Sequence, residues 1–290
     1  MPVAVVDIGT NTTRLLVAEV EDGRVVELER RTLITRLGQG VDATGRLAQE
    51  AMDRVAEAIA VYREVIDRLG ADRVVALATS AMRDAENGPE FRDYLKQRFG
   101  IDAQTISGDE EARLTFLGAT SNRNDDDETV VIDIGGGSTE YVAGRSGLDP
   151  GFYVSTQMGS VRHTERFLHS DPPAPGELAE LAAAVGETVP HVAVEHGIAV
   201  AGTATSLAAI DGADEVHGYR LSLATCERLL ARLAAMPLEQ RRRVEGLHPD
   251  RAPTIVAGAV ILTESVRGLG LREVEVSVAD ILHGAALNAA

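Results

Sequence analysis

The sequence predicts an α/β protein built from two related domains, and three observations lead to this prediction. Short apolar segments typical of strands alternate with longer segments in which apolar residues recur at helical spacing. A strand-turn-strand pattern at the N-terminus starts again near residue 129. The chain has 290 residues, of which 44% are hydrophobic, so it is long enough for about two domains with cores of their own.

Composition excludes several classes of protein. The net charge of −17 disfavours DNA as a partner, because phosphate backbones bind basic surfaces. No apolar segment approaches the ~20 residues needed to cross a bilayer, so we expect no membrane partner. The N-terminus lacks the pattern of a signal peptide, which predicts a cytoplasmic protein. The single cysteine, Cys226, excludes an internal disulfide and a thiolate metal cluster.

The first domain is predicted to begin with a β-meander over 3–35. A helix over 48–69 follows, since its apolar residues have helical spacing and Gly70 is a suitable C-cap. Ser107 and Glu110 have the spacing of a capping box at the start of a further helix. The remaining predicted elements of this domain are a strand over 74–78, a helix over 89–99, a strand over 104–106 and a helix from about 108 to 118.

The polar, acidic segment 122–128 is predicted to separate the domains, which would span 1–122 and 123–278. The last helix, predicted over 279–287, is expected to pack back onto the first domain, so that 279–290 would join it. After the repeated hairpin over 129–144, the second domain is predicted to contain strands over 198–201 and 273–276 and helices over 177–191, 222–235, 238–244 and 254–266.

Two turns carry the clearest chemical signal. Asp7 and Asp133 each end an apolar strand, the position at which α/β sheets bind ligands. The turns that follow, 9–12 and 135–138, can direct successive backbone N–H groups at one anion. An aspartate beside such a turn suggests a Mg²⁺-phosphate site. Each turn alone is better explained as a simple hairpin, because Asp, Gly, Asn and Ser are ordinary turn residues; their repetition favours function.

The paired turns resemble the phosphate loops of the actin and sugar-kinase superfamily, in which two related domains clamp a phosphorylated ligand. A set of motifs then resembles, in order, the exopolyphosphatase and guanosine pentaphosphate phosphohydrolase (Ppx/GppA) family in its short form. The motifs lie at 7–14, 79–87, 106–113, 133–140, 158–162, 202–207 and 251–262. The resemblance implies two actin-like (ribonuclease H-like) domains with an active-site cleft between them. It also implies Mg²⁺, with Mn²⁺ as an alternative, and leaves a homodimer open.

The resemblance assigns roles to individual residues. Glu111 falls on the family's proposed catalytic base, whereas Glu110 is explained by the capping box. Arg83 follows a turn that leaves a strand and would bind non-bridging phosphate oxygens. The implied metal ligands are Asp133, Glu140 and Asp7. The implied phosphate-binding residues are Gly9, Thr10, Asn11, Thr12, Arg14, Gly135, Gly136, Gly137, Ser138, Gly202 and Thr203.

The predicted activity is hydrolysis of terminal phosphates of inorganic polyphosphate by water that Glu111 activates. Alternatives are 5′ hydrolysis of guanosine pentaphosphate, a kinase or ATPase of the same superfamily, and a non-catalytic binder of polyphosphate or an alarmone. The arginines at 241–243 and Arg251 are candidates for guiding a polyanion, and a solvated helical face is the other interpretation of the triplet. In the short form we expect distributive action, because longer relatives add a helical region that helps bind long chains.

Overall fold

The computed structural model describes residues 1–123 and 127–290, which fall into two compact units. The first unit comprises 1–123 and 279–290, and the second comprises 124–278. The middle of the acidic segment that the sequence predicts as a boundary, 124–126, lies outside the described residues. Within the described part of the chain, no helix is both long enough and apolar enough to cross a membrane.

The described residues form eleven strands and twelve α-helices. The strands are β1 (Val3–Ile8), β2 (Thr12–Glu21), β3 (Arg24–Ile34), β4 (Arg73–Ala78), β5 (Ala103–Thr105), β6 (Thr129–Ile134), β7 (Thr139–Gly144), β8 (Phe152–Thr156), β9 (His196–Val200), β10 (Arg220–Ser222) and β11 (Glu273–Val276). The helices are α1 (Val41–Thr44), α2 (Gln49–Leu69), α3 (Ser80–Asp84), α4 (Gly88–Phe99), α5 (Gly108–Thr120), α6 (Ser160–Phe167), α7 (Pro175–Thr188), α8 (Ala201–Ile210), α9 (Leu223–Ala234), α10 (Leu238–Arg241), α11 (Ile255–Gly268) and α12 (Ile281–Ala289).

The first unit is built on a five-stranded sheet with the order β3-β2-β1-β4-β5. Strands β1, β4 and β5 are parallel, and β2 and β3 continue the sheet as an antiparallel meander. Alternate residues of β1 enter two different cores: Ala4 and Val6 pack with α2 and α4, whereas Val3 and Val5 pack with α12. The sheet is therefore covered on both faces, and α12 supplies the cover of one of them.

The second unit has a six-stranded sheet with the order β10-β11-β9-β6-β7-β8. Its parallel strands are β6, β9 and β11, which are joined by antiparallel neighbours on both sides. Almost every residue of α11 is buried in the main core. A helix that is apolar on all sides fits this position because it is enclosed by other elements.

Several predicted elements differ from the observed ones. The strand predicted over 198–201 ends at Val200, because Ala201 has a φ of 63° and begins α8. The helix predicted to reach residue 191 ends at Thr188, since Pro190 disfavours helical backbone at Val189. The predicted helix over 238–244 is only the single turn α10. The sequence did not predict α1, α3, α6, β8 or β10, which are short, and for α8 it indicated only a helix start at 202–203.

Candidate phosphate-binding and catalytic site

The tip of the first hairpin is closed and braced by backbone hydrogen bonds. The Gly9 N–H donates to the Thr12 carbonyl at 2.9 Å. The Thr10 carbonyl accepts from Gly38 N–H at 2.9 Å, and the Thr10 hydroxyl lies 3.0 Å from that of Ser80. The N–H groups of Thr10 and Asn11 make no hydrogen bond with the described residues. The tip is thus fixed from one side while two donors remain for an anion.

Asp7 belongs to a buried cluster of charges. It stands opposite Arg14 in the register of β1 and β2, and its Oδ2 accepts from Arg14 Nε at 2.8 Å and pairs with a terminal nitrogen at 2.7 Å. Another terminal nitrogen of Arg14 pairs with Asp280, the residue before α12. Burial raises the pKa of Asp7 despite Arg14. Burial also opposes the ionisation of Asp280, but Arg14, Arg30 and His283 outweigh it and lower its pKa.

The two residues predicted as catalytic lie next to each other. Arg83 lies on α3, the short helix that begins at Ser80 where the sequence predicted a turn, and one of its terminal nitrogens lies 3.5 Å from a carboxylate oxygen of Glu111. The same nitrogen donates to the Ile106 carbonyl at 2.9 Å. Glu111 is buried in the first turns of α5, whereas Glu110 is exposed and its N–H is capped by Ser107. Only Glu111 is therefore enclosed beside a cation.

These residues share one edge of the first sheet. Strands β1, β4 and β5 run parallel and end at Ile8, Ala78 and Thr105. Backbone hydrogen bonds join the segments that leave them: Thr79 N–H donates to the Ile8 carbonyl and Ile106 N–H to the Ala78 carbonyl. The first hairpin tip, α3 and α5 therefore begin at neighbouring strand ends, the edge at which α/β sheets bind ligands.

The second hairpin reproduces the first. The Gly135 N–H donates to the Ser138 carbonyl at 3.0 Å, and no hydrogen bond from the N–H groups of Gly136 and Gly137 occurs among the described residues. The tip is held from behind by the start of α6. A Cβ on Gly159 would overlap the Gly136 backbone, so only glycine permits this approach. The Arg162 side chain donates to the Gly137 carbonyl at 2.8 Å.

The two hairpins differ in the charge that faces the aspartate. Asp133 stands opposite Glu140 in the register of β6 and β7, at the positions that Asp7 and Arg14 occupy in the first hairpin. Both carboxylates are buried, and Glu140 accepts from the Ser155 hydroxyl at 2.7 Å. Two adjacent acidic side chains attract a cation, and Mg²⁺ in proteins is commonly held by one or two carboxylates together with water and substrate phosphates.

The carboxylate pair therefore fits a magnesium ion that is completed by substrate. Among residues 1–123 and 127–290, no three His, Cys, Asp or Glu side chains are grouped to hold a metal by themselves. Asp7, the third predicted ligand, has one oxygen bound to Arg14 and is buried with no hydrogen-bond partner at Oδ1. Its Oδ1 is accordingly the atom through which it would approach a cation or water.

Comparison with known proteins places this geometry in a family. The model of the Ppx/GppA phosphatase family matches residues 16–288. The chain belongs to this family. It is 39% identical to Exopolyphosphatase 2 of Mycobacterium tuberculosis, an alignment that covers 99% of this chain and 98% of that protein.

Solved structures of Ppx/GppA proteins have the same fold. An exopolyphosphatase-like protein is 35% identical and superposes with a TM-score of 0.91 over 99% of this chain and 97% of its own. The Ppx/GppA family member of Aquifex aeolicus is 29% identical, with a TM-score of 0.84 over 100% of this chain and 97% of its own. These likenesses confirm the predicted α/β fold, which this chain shares with solved structures of the family.

In this Ppx/GppA protein, Gly202 and Thr203 lie in the first turn of α8, directly after β9. A Cβ on Gly202 would overlap the guanidinium of Arg251, so the absence of a side chain makes room for that cation. The Thr203 side chain is buried against Gly258 of α11. The guanidinium of Arg251 therefore lies at the start of α8, and the Thr203 side chain is buried in the core.

The local sequence did not indicate the burial of Arg241 or the ion pair between Asp280 and Arg14. Arg241, a candidate for guiding a polyanion, is buried and pairs with Asp171 at 3.3 Å, so neither a guiding role nor a solvated face describes it. Asp280 was not among the predicted site residues. No signal near Asp280 in the sequence indicates its pairing with Arg14, because the two lie at opposite ends of the chain.

Proposed function

We propose that this Ppx/GppA protein hydrolyses the terminal phosphate of inorganic polyphosphate, using water activated by Glu111 and a magnesium ion. Family membership supports the phosphatase class, and relatives named exopolyphosphatase support the substrate. The observation that carries the proposal is the pairing of Glu111 with Arg83 at the carboxyl edge of the first sheet. In this pair a buried carboxylate, the proposed base, lies beside a cation that can bind phosphate.

In the proposed reaction, Glu111 accepts a proton from a water that attacks the terminal phosphorus. The bridging P–O bond to the next phosphate breaks, so that orthophosphate and a polyphosphate one unit shorter are released. Its burial keeps the carboxylate away from bulk solvent, and α5 fixes its position. Arg83 binds the non-bridging oxygens of that phosphate and stabilises the charge that develops on them. Its fixed bond to the Ile106 carbonyl orients the guanidinium before substrate arrives.

The hairpin tips would bind phosphate oxygens through backbone N–H groups. The donors are those of Thr10 and Asn11 in the first unit and of Gly136 and Gly137 in the second. Asp133 and Glu140 would hold the magnesium ion, which when bound neutralises phosphate oxygens of the substrate. Glu140 is kept in place for this by the Ser155 hydroxyl.

Phosphate release from a panel of substrates tests the proposal. The protein would be incubated with polyphosphates of several lengths, guanosine pentaphosphate and ATP, with magnesium, with manganese and with chelator. We expect metal-dependent release from polyphosphate above that from the nucleotides. Faster release from guanosine pentaphosphate would instead support the alternative substrate, formation of ADP would indicate an ATPase, and tight polyphosphate binding without release would indicate a binding protein.

A further inference from the structure

We propose that Asp280 is a positioning residue, which fixes Arg14 and, through Arg14, the carboxylate of Asp7. The inference rests on the proposed function, because it concerns the first of the two proposed phosphate-binding hairpins. Asp280 itself stands on a different part of the chain, immediately before the C-terminal helix α12. The hairpin would accordingly take its active geometry only when α12 is docked.

The two oxygens of Asp280 have separate tasks. Oδ1 accepts from the Leu282 N–H at 3.0 Å and thereby caps the start of α12. Oδ2 receives a terminal nitrogen of Arg14 and lies 3.4 Å from one of Arg30. The side chain is only 3% exposed, so water does not compete for these contacts. The helix cap and the orientation of Arg14 are therefore made by one immobile group.

Arg14 transmits this constraint to Asp7. Its guanidinium is planar, and its nitrogens contact carboxylates on two sides: Nε and one terminal nitrogen bind Asp7, and the other terminal nitrogen binds Asp280. A plane held at two edges cannot rotate without breaking an ion pair. The Oδ2 atom of Asp7 is fixed in turn, which leaves Oδ1 facing away from the arginine contact.

Close packing of α5 and α12 holds Asp280 in place. A Cβ on Gly118 would overlap the carbonyl oxygen of Asp280, and a Cβ on Gly284 would overlap that of Leu114. The two helices therefore approach each other at backbone distance. Helix α5 also carries Glu111, the proposed base. Asp280 therefore packs against the same helix that positions the base.

A double-mutant cycle in the full-length protein tests the inference. Asp280→Asn retains a good helix cap but removes the charge that holds Arg14, and Arg14→Lys retains a charge but removes the planar fork. The kcat and KM for polyphosphate would be measured for both single variants and the double variant, at a temperature where circular dichroism shows every variant folded. Asp67→Asn is the matched control, since it removes an exposed Asp–Arg pair on α2.

We expect Asp280→Asn to lower kcat/KM by about 10- to 100-fold, the usual effect of losing a group that orients a ligand. In the Arg14→Lys background the same change should have little effect, because the residue through which it acts is already altered. The control should match the wild type. A second variant, Asp280→Ser, also keeps a capping hydroxyl and should behave like Asp280→Asn.

Two results would overturn the inference. One is a wild-type kcat/KM for Asp280→Asn, and the other is an equal fold-loss in both Arg14 backgrounds, as expected if Asp280 only stabilises the fold. If the wild type releases phosphate from polyphosphate, either result leaves the proposed function intact. Absence of release by the wild type would overturn the proposed function and this inference together.

Discussion

Asp133 and Glu140 stand directly opposite each other on β6 and β7, and both carboxylates are buried. Like charges in directly opposed positions destabilise a sheet unless a cation lies near them. In the corresponding hairpin of the first unit, Asp7 faces Arg14, so the arginine supplies the compensating charge there. The two hairpins thus differ in the charge that stands opposite the aspartate, and a metal ion bound at the second would supply positive charge beside its two carboxylates.

This difference makes a prediction about Glu140→Gln. The amide carbonyl of the variant can still accept from Ser155, so the protein should remain folded, but the proposed metal site would lose one of its two carboxylates. Magnesium should raise the melting temperature of the wild type but not of the variant. Thermal unfolding with and without the ion measures both effects. Glu180→Gln, an exposed change on α7, is the control, and an equal magnesium shift in all three proteins would contradict the metal assignment.

The base assignment predicts a large loss of turnover in Glu111→Gln. The amide retains the size of the side chain but cannot accept the proton of water, so kcat should fall by about two to four orders of magnitude. Glu110→Gln is the matched control, since Glu110 is the exposed neighbour on the same turn and should retain activity. Steady-state phosphate release compares them. If both variants kept wild-type turnover, Glu111 would not be the base.

Close backbone contact at the second hairpin predicts that Gly159→Ala impairs the site. The added methyl group would overlap the Gly136 backbone and displace the tip that bears the proposed phosphate donors. We expect a marked loss of kcat/KM together with a lower melting temperature. Gly186→Ala is the control, because its position on α7 is open and the change should stabilise the helix by about 1 kcal/mol. Wild-type kcat/KM in Gly159→Ala would show that the tip adapts.

Burial of Arg241 predicts that replacing it costs little stability. Its Nε and one terminal nitrogen are buried without a hydrogen-bond partner among the described residues, and burial lowers its pKa. Its partner Asp171 is half-exposed and can be solvated after the change, so Arg241→Met removes an incompletely compensated buried charge without leaving another one buried, and the free energy of unfolding should be unchanged or higher. Urea denaturation measures it. A loss of more than about 2 kcal/mol would mean that the guanidinium has a stabilising partner.

Burial of the single cysteine predicts that its thiol is unreactive in the folded protein. Cys226 is fully buried in the core of the second unit, and burial raises its pKa to about 12. Since the thiolate is the reactive form, the native protein should not react with Ellman's reagent at pH 8, and the unfolded protein should release one equivalent. Rapid reaction of the native protein would show that this core opens. The measurement also reports unfolding of the second unit in the variants above.

Some of the site could be predicted because its signals are local. The turn residues of the two hairpins occupy consecutive positions, and the structure closes both turns with the same hydrogen bond. Ser107 was predicted to cap α5 from a spacing of three residues, and its hydroxyl does accept from the Glu110 N–H. For α8 the sequence indicated a helix start but not its length, because nearly all its residues are small or apolar and no polar face reveals the helical period.

The longer strands and helices, the repeated hairpin and the family could be predicted from the sequence, because they depend on neighbouring residues and on motifs in a fixed order. Which charged groups meet depended on tertiary packing. It buried Arg241, placed Arg83 against Glu111 and paired Arg14 with Asp280 from the opposite end of the chain. Ion pairs form where packing brings elements together, and sequence separation contains no information about that proximity.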